Sequence, residues 1–222
     1  MYASWTKNEV MKKALALFDF DGTLYLEDSF TQFIFYTLSK RHIMRRGIKI
    51  LPWIQAYYAK VYPAHAMRQK LYQHMFKHQK YVHIQKLAER YSHRLLKQLN
   101  PVLLAQLKHH QALGHEVVIV SASLDLYLQP LSQLLNVKLI CTQTEQRHQH
   151  LTGEYLTPDC SGEQKKFRIQ QQFKINEFDE IYAYGNSHED LAMLALAKHR
   201  FMVGVDQTLP PLPHPQQFFE AV

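Results

Sequence analysis

Two aspartates that directly follow a short apolar stretch are the residues of this sequence best suited to chemistry. Residues 15–18 read Leu-Ala-Leu-Phe, which is typical of a buried strand, and Asp19 and Asp21 come next. Because residues i and i+2 of an extended chain lie on one side of the backbone, both carboxylates should face the same point. Their repulsion would leave one of them protonated unless a cation lay between them. The pair therefore predicts a site for a divalent cation where the strand ends.

Polar side chains also follow the later apolar stretches of the chain. They are Ser121 and Ser123, then Lys165 near a predicted helix start, then Asn186 and Asp190. In a doubly wound sheet, ligands bind at the carboxyl ends of the strands, so these groups are expected to converge. Acids, a hydroxyl and a lysine around a divalent cation are suited to phosphoryl transfer. A single Asp-x-Asp sequence is weak evidence for a phosphoryl-transfer site, whereas the whole set of these residues in this order is strong evidence for one.

Alternating strand and helix patterns predict the elements that position these groups, as an α/β fold with a parallel doubly wound sheet. Strands are predicted at 14–21, 116–123, 138–142, 180–187 and 201–205. Helices are predicted at 101–113, 126–135, 162–173 and 190–198. Residues 143–158 predict a hairpin with its turn near Gly153.

One long segment interrupts this alternation. Residues 29–100 look helical almost throughout and contain only Gly47, Pro52 and Pro63 as helix breakers. Seventy-two residues are too many for a crossover between two strands, which predicts an inserted all-helical cap. The expected domains are a catalytic core of residues 1–24 and 101–222 and a cap of residues 25–100.

Charge is divided unevenly between these two predicted domains. Residues 29–100 carry 14 Lys and Arg against the single acid Glu89, whereas the rest carries 12 against 18 acids. A basic cap favours an anionic partner, such as a polyphosphorylated metabolite, a nucleotide or an acidic lipid headgroup. No nucleic-acid-binding signature is present, so no nucleic acid is expected as a partner.

Membrane insertion is not predicted, but surface contact stays open. The most apolar candidate, residues 48–62, is broken by Lys49, Pro52, Gln55 and Lys60. Its aromatic residues are interleaved with lysines, as in a helix that lies on an anionic membrane surface. The plainer interpretation is a four-helix cap with solvated lysines.

The remaining composition adds few constraints. Cys141 and Cys160 suggest no disulfide framework, and no stretch reads as a signal peptide, so a reducing, cytoplasmic location is expected. The fourteen histidines include no His-Glu-x-x-His pair that would indicate a metal site. The proline-rich residues 209–215 are expected to run along the surface.

Four segments resemble the motifs of the haloacid dehalogenase (HAD) superfamily. They are, in order, DFDGT at 19–23, VIVSAS at 118–123, SGEQKKF at 161–167 and YGNSHEDLAML at 184–194. Together with the size of the helical insertion and LTGEY at 151–155, the set is similar to the phosphoserine-phosphatase-like branch, subfamily IB, over residues 14–205.

This resemblance implies a Mg²⁺-dependent phosphatase that works through an aspartyl-phosphate. It makes Asp19 the nucleophile, Asp21 the general acid and base, and Ser121 and Lys165 the groups that bind the phosphoryl oxygens. The implied phosphate site comprises Asp19, Gly22, Ser121, Ala122 and Lys165. The implied Mg²⁺ ligands are Asp19, Asp21, partly through its main-chain carbonyl, Asn186 and Asp190.

Several assignments leave an alternative open. Lys166 competes with Lys165, and Ser123 could cap the following helix. The fourth motif of the superfamily usually begins Gly-Asp, whereas this chain has Gly185-Asn186, which predicts weaker metal binding with Asp190 taking the larger share.

The substrate and the activity itself also have alternatives. Candidate substrate contacts near or in the cap are Glu27, Asp28, Arg45 and Arg46. The rival function is a non-catalytic or weakly active relative that binds an anionic partner through the basic cap.

Overall fold

The computed structural model describes residues 13–213, which form seven strands and eight α-helices. The strands are β1 (Ala14–Phe18), β2 (Glu116–Leu124), β3 (Lys138–Thr142), β4 (Thr144–Arg147), β5 (His150–Tyr155), β6 (Glu180–Gly185) and β7 (His199–Met202). The helices are α1 (Ser29–Thr37), α2 (Lys40–Tyr58), α3 (Ala64–Phe76), α4 (Tyr81–Leu96), α5 (Pro101–Ala112), α6 (Asp125–Leu135), α7 (Glu163–Gln172) and α8 (Leu191–Leu194). Short 3₁₀ turns occur at Ile175–Glu177 and His188–Asp190.

Five of these strands form a parallel sheet in the order β3-β2-β1-β6-β7. The chain builds outwards from β1 on one side and then returns to add β6 and β7 on the other. The order reverses between β1 and β6, and ligand crevices of such sheets open at that switch point. The predicted doubly wound fold is confirmed.

The central strand β1 is buried along its whole length because helices cover both faces of the sheet. Leu15 and Leu17 pack into one apolar cluster with Ile169 of α7 and Met193 of α8. Alternate residues of β1 face a larger cluster that continues from the sheet into the helices α1 to α4. The helical segment and the sheet therefore share one core at their junction.

The four helices α1 to α4 occupy most of the stretch predicted as a cap. Asp28 caps the first of them by accepting a hydrogen bond from the Thr31 backbone N–H, and Ser39 does the same for α2. Pro52 lies inside α2 without ending it. None of the described helices is long and apolar enough to cross a membrane.

The predicted hairpin is present, but the predicted position of its turn is wrong. The two-residue turn between β4 and β5 is His148-Gln149, and both residues have positive φ, as two-residue hairpin turns commonly require. Gly153 lies within β5 instead, at φ +84°, and a Cβ there would come within 2.9 Å of Lys77 Cβ. This glycine allows the hairpin to pack against α3.

Several predicted boundaries also need correction. β1 ends at Phe18 rather than residue 21, and β6 ends at Gly185, because the chain turns where the polar groups begin. The helix predicted at 190–198 is only the four-residue α8, and β7 begins two residues before the strand predicted at 201–205 and overlaps it only at residues 201 and 202.

The proline-rich tail packs on α5 over its described part. Gln106 and His109 donate to the carbonyls of Pro210 and Pro213. Residues 1–12 and 214–222 of the predicted core, which include the last two residues of this stretch, lie outside the described residues.

Candidate active site

The turn after β1 is fixed at both ends by hydrogen bonds. The Asp19 backbone N–H donates to the Tyr184 carbonyl of β6 across 2.9 Å, and Thr23 Oγ1 donates to Asp19 Oδ2 across 2.9 Å. Gly22 adopts φ +80°, and a Cβ there would lie 1.9 Å from Asn186 Nδ2. The missing side chain of Gly22 therefore lets Asn186 lie directly against this turn.

Lys165 is the cation at the centre of the site. It projects from the first turn of α7, is fully buried, and places Nζ 2.5 Å from Asp19 Oδ1 and 2.5 Å from Asp190 Oδ1. Burial alone would lower the pKa of Lys165, but the two carboxylates reverse this and raise the pKa above its ordinary value. Lys165 is thus held in its charged form between two acids, whereas Lys166 does not line the cavity.

The two acids beside Lys165 differ in their titration. Burial raises the pKa of Asp19 to about 7, although Lys165 opposes the shift. Burial alone would also raise the pKa of Asp190. The charge of Lys165 and hydrogen bonds to the Asp190 carboxylate outweigh burial and lower this pKa below its ordinary value. Those bonds come from the backbone N–H groups of Asn186 and Ser187, both at 3.0 Å. Of these two acids, Asp19 is therefore the more easily protonated.

Asp21 has a separate set of partners and does not share those of Asp19. Its Oδ1 accepts the Ser29 backbone N–H at 2.7 Å, and its Oδ2 accepts a hydrogen bond from Ser123 Oγ. Burial raises the pKa of Asp21, and the donors Ser123 and Ser29 oppose that rise. The two aspartates line one cavity but are held independently.

Ser123 therefore does not have the predicted alternative role. The residue that caps α6 is Leu124, which makes no side-chain capping bond, and Ser123 is turned towards Asp21 instead. Ser121, at the end of the same strand, is buried and accepts the Ser123 backbone N–H at 3.0 Å. Ser121 and Ala122 both line the cavity beside Asp19.

A hydroxyl network behind Asp21 was not found from the sequence. Ser29 Oγ lies 2.9 Å from Tyr127 Oη and 3.3 Å from Ser123 Oγ, and Tyr91 Oη donates to the Ser29 carbonyl at 2.8 Å. These partners come from α1, β2, α4 and α6. The network therefore connects the first residue of α1 to Asp21.

Arg68 of α3 is a second residue that sequence reasoning missed. Its Nε and Nη2 donate to the two oxygens of Asp159, each at 2.9 Å. Its Nη1 and Nη2 donate to those of Glu189, each at 3.1 Å. Arg68 thus ties the cap to two loops of the sheet region at the edge of the cavity.

Of the four residues predicted to contact the substrate, only Asp28 is among the described residues that line the cavity. Asp28 lines the cavity, but its carboxylate caps α1 and accepts Thr31 Oγ1. Glu27 is exposed and bonds to Gln32. Arg45 and Arg46 do not lie among the described residues that line the cavity. The structure therefore does not bring these four residues together.

The oxygen atoms near Asp19 are of the kind that bind a small hard cation such as Mg²⁺. The Asn186 amide lies against Gly22, which directly follows Asp21 and comes three residues after Asp19. Mg²⁺ needs few protein ligands because it retains water. Within residues 13–213, no group of three or more His, Cys, Asp or Glu side chains could hold a metal ion. A cation here would depend on neutral oxygens as well as on one carboxylate.

The model of one protein family matches most of the chain. Residues 16–195 match the haloacid dehalogenase-like hydrolases. The chain belongs to this family. The resemblance seen in the motifs is confirmed, and the expected class of enzyme, a phosphoric monoester hydrolase of the HAD superfamily, agrees with the match.

Solved structures share the HAD fold of this chain at low sequence identity. A protein of unknown function from Bordetella pertussis Tohama I has a TM-score of 0.72 at 22% identity, covering 86% of this chain and 90% of that one. A HAD family hydrolase from Salmonella enterica serovar Typhi has a TM-score of 0.64 at 21% identity, covering 86% and 62%. A phosphoserine phosphatase, as a phospho-aspartyl intermediate analogue, has a TM-score of 0.62 at 17% identity, covering 86% of each chain. No curated protein matches the sequence.

Proposed function

We propose that this HAD protein is a Mg²⁺-dependent phosphomonoesterase that transfers a phosphoryl group from a small substrate first to Asp19 and then to water. The observation that carries the proposal is the buried Lys165, held 2.5 Å from both Asp19 and Asp190 in a cavity that also contains Asp21 and Ser121. A nucleophile, a fixed positive charge, a hydroxyl and an independently held acid are the groups that the reaction needs.

In the first step, Asp19 attacks phosphorus, and the bond from phosphorus to the substrate oxygen breaks. Asp21 gives its proton to the leaving oxygen, and its raised pKa favours the protonated form that this step requires. Lys165 offsets negative charge on the phosphoryl oxygens while it remains bound to Asp19. The Ser121 hydroxyl lies at the end of β2 and is available to the same oxygens.

In the second step, water attacks the phosphoryl group on Asp19. Asp21, now deprotonated, takes a proton from that water, and the phosphorus–Asp19 bond breaks to release phosphate. Asp19, Asn186 and the Asp21 carbonyl would hold Mg²⁺, which supplies charge neutralisation at the phosphoryl oxygens. Asp190, which the sequence predicted as a Mg²⁺ ligand, acts instead through Lys165 in this proposal, because one of its oxygens binds the lysine and the other accepts from backbone N–H groups.

The decisive experiment uses Asp21→Asn with a nitrophenyl phosphate. Such a leaving group needs little protonation, so phosphorylation of Asp19 should proceed, while hydrolysis should stop without the base. We expect a burst of nitrophenol of about one equivalent and then almost no turnover. Intact-mass spectrometry and peptide mapping should place the phosphoryl group on Asp19. Steady turnover near the wild-type rate would show that Asp21 is not the base.

Asp19→Asn is the matched control, because it should give neither burst nor turnover. The rival function, a non-catalytic binder of anionic partners, predicts no burst with any variant or with the wild type. The burst therefore separates the two functions in one assay.

A further inference from the structure

The cavity extends well beyond the groups that would handle the phosphate. It has a volume of about 620 Å³ and runs from Asp19 and Asp21 into the space between α1, α2 and α3. Its far end is lined by apolar side chains, among them Phe30, Ile34, Ile50, Ile54, Met67 and Leu71. A phosphate group needs only the polar end, so the remaining volume is available to the organic part of a substrate.

One face of α2 is shaped to keep this space open. Ile43, Gly47, Ile50 and Ile54 line the cavity at spacings of four, three and four residues, which places them on one side of the helix. A Cβ at Gly47 would meet nothing within 4 Å. Glycine inside a helix is about 1 kcal/mol less favourable than alanine, so this glycine costs stability and leaves volume unfilled.

The charged groups of the cap end are already engaged. Arg68 directs its guanidinium N–H groups to Asp159 and Glu189, and Asp28 caps α1. A substrate with a carboxylate and an ammonium next to its phosphate would lose water without gaining charged partners there. The basic residues Arg45 and Arg46 do not line the cavity and cannot supply them.

Two aromatic side chains that line the cavity are largely exposed to solvent. Phe35 of α1 and Tyr58 of α2 line it while remaining 64% and 77% exposed. The cavity therefore reaches solvent beside these two rings, and an apolar chain longer than the cavity can extend past them.

Resting on the proposed phosphatase activity, we infer that the substrate is a phosphomonoester whose organic group is an apolar chain or ring that fills the space between α1, α2 and α3. Such a group is found both in free alkyl or aryl phosphates and in lipid phosphomonoesters. The two sources share the chemistry that this cavity recognises.

The test is a series of straight-chain alkyl phosphates from ethyl to octyl, assayed as monomers by phosphate release. All members have the same type of leaving oxygen, so differences in kcat/KM report on the organic chain. We expect kcat/KM to rise with each added methylene, by at most about fourfold, until the cavity is filled. O-phosphoserine should be a poorer substrate than butyl phosphate. A flat series, or a preference for O-phosphoserine, would overturn the inference.

Gly47→Phe places a ring in the cavity, and Ile48→Phe is the matched control because Ile48 is 69% exposed on the same helix. Gly47→Phe should lower the ratio of kcat/KM for octyl phosphate to that for ethyl phosphate by at least about tenfold, whereas Ile48→Phe should leave the ratio unchanged. Thermal melting checks that both variants are folded. An unchanged ratio in folded Gly47→Phe would contradict the inference.

Hexadecyl phosphate in phosphatidylcholine vesicles separates the two sources. Hydrolysis there as well as in solution supports the apolar site with a lipid substrate, and hydrolysis only of monomers supports it with a free one. If no phosphomonoester is hydrolysed, the proposed function fails and this inference with it. Equal hydrolysis across the alkyl series would contradict this inference but leave the proposed phosphatase function in place.

Discussion

The two ends of the cavity are built on different principles. At the sheet end, Lys165, Asp19 and Asp190 are buried and bound to one another, so each charge is balanced by a neighbour at a fixed distance. At the cap end, apolar side chains surround open volume. Within residues 13–213, Arg68 is the one cap cation that forms an ion pair.

This difference separates rate from selectivity. Buried charges tolerate little change, because removing one member leaves the others without compensation. Apolar walls select a substrate by its volume and by its desolvation, and they tolerate substitutions better than buried charges do. Substitutions at the sheet end should therefore affect turnover of every substrate, and those at the cap end should change which substrate is preferred.

The strongest test of the sheet end is Lys165→Gln. Removing the positive charge leaves Asp19 and Asp190 uncompensated and should lower kcat/KM by roughly a thousandfold. It should also raise the pKa of Asp19 further, since Lys165 opposes the effect of burial. Lys166→Gln is the control and should stay within about twofold, because surface substitutions rarely matter more. Inactivity of Lys166→Gln with an active Lys165→Gln would reverse the assignment.

The link between the two regions is tested by Arg68→Met. Asp159 and Glu189 would lose their shared cation, and the free energy of unfolding should fall by about 2 kcal/mol. A drop in melting temperature of about 6 °C is expected for a chain of this length. Arg46→Met removes a cap charge that does not line the cavity and should melt like the wild type. Equal melting of the two variants would show that Arg68 does not hold the cap.

The substitution Asn186→Asp tests whether Asn186 is a Mg²⁺ ligand. A second carboxylate beside Asp19 should increase Mg²⁺ affinity about tenfold, as read by calorimetric titration without substrate. Asn136→Asp adds the same charge at the C-terminus of α6 and should not change Mg²⁺ affinity. If affinity is also unchanged in Asn186→Asp, Asn186 is not a ligand.

The smallest effect is expected for Ser123→Ala. The Ser123 hydrogen bond lowers the pKa of Asp21, so its removal should raise that pKa. Asp21 must be protonated to act as an acid, and a higher pKa keeps it protonated to higher pH. The alkaline limb of the kcat/KM profile for an alkyl phosphate should therefore move to higher pH. Ser132→Ala, a buried serine bonded to Gln129, should leave the profile in place. An unmoved limb in Ser123→Ala would mean that Asp21 does not set it.

Local patterns predicted the parts of the site that are local in the chain. The apolar stretch before Asp19 predicts a strand, and the Asp-x-Asp-Gly-Thr sequence predicts a turn with converging oxygens, since both depend on a few neighbouring residues. The position of Lys165 follows from its place in the first turn of α7. The roles of these residues in catalysis stay predictions.

Contacts between distant segments could not be predicted in this way. Ser29 meets Ser123 across 94 residues of chain, and Arg68 meets Asp159 across 91. Neither residue stands in a pattern that indicates its partner. The hairpin turn was predicted near Gly153, but Gly153 lies within β5, where both its φ of +84° and its packing against α3 require glycine. Tertiary contact decided all three positions.

The place of β1 in the sheet has a consequence for synthesis of the chain. β1 is the first described strand to leave the ribosome, yet its hydrogen-bonding neighbours are β2 and β6, which begin at Glu116 and Glu180. The backbone hydrogen bonds of the helices α1 to α4 are local, so these helices can form in the interval, before the sheet on which they pack. Until β2 emerges, the nascent chain exposes an apolar strand, Ala14–Phe18, with two open edges. A nascent chain paused once residue 124 has left the ribosome should therefore be more protease-resistant than one paused before residue 116 has left it, and resistance should rise again once β6 has emerged.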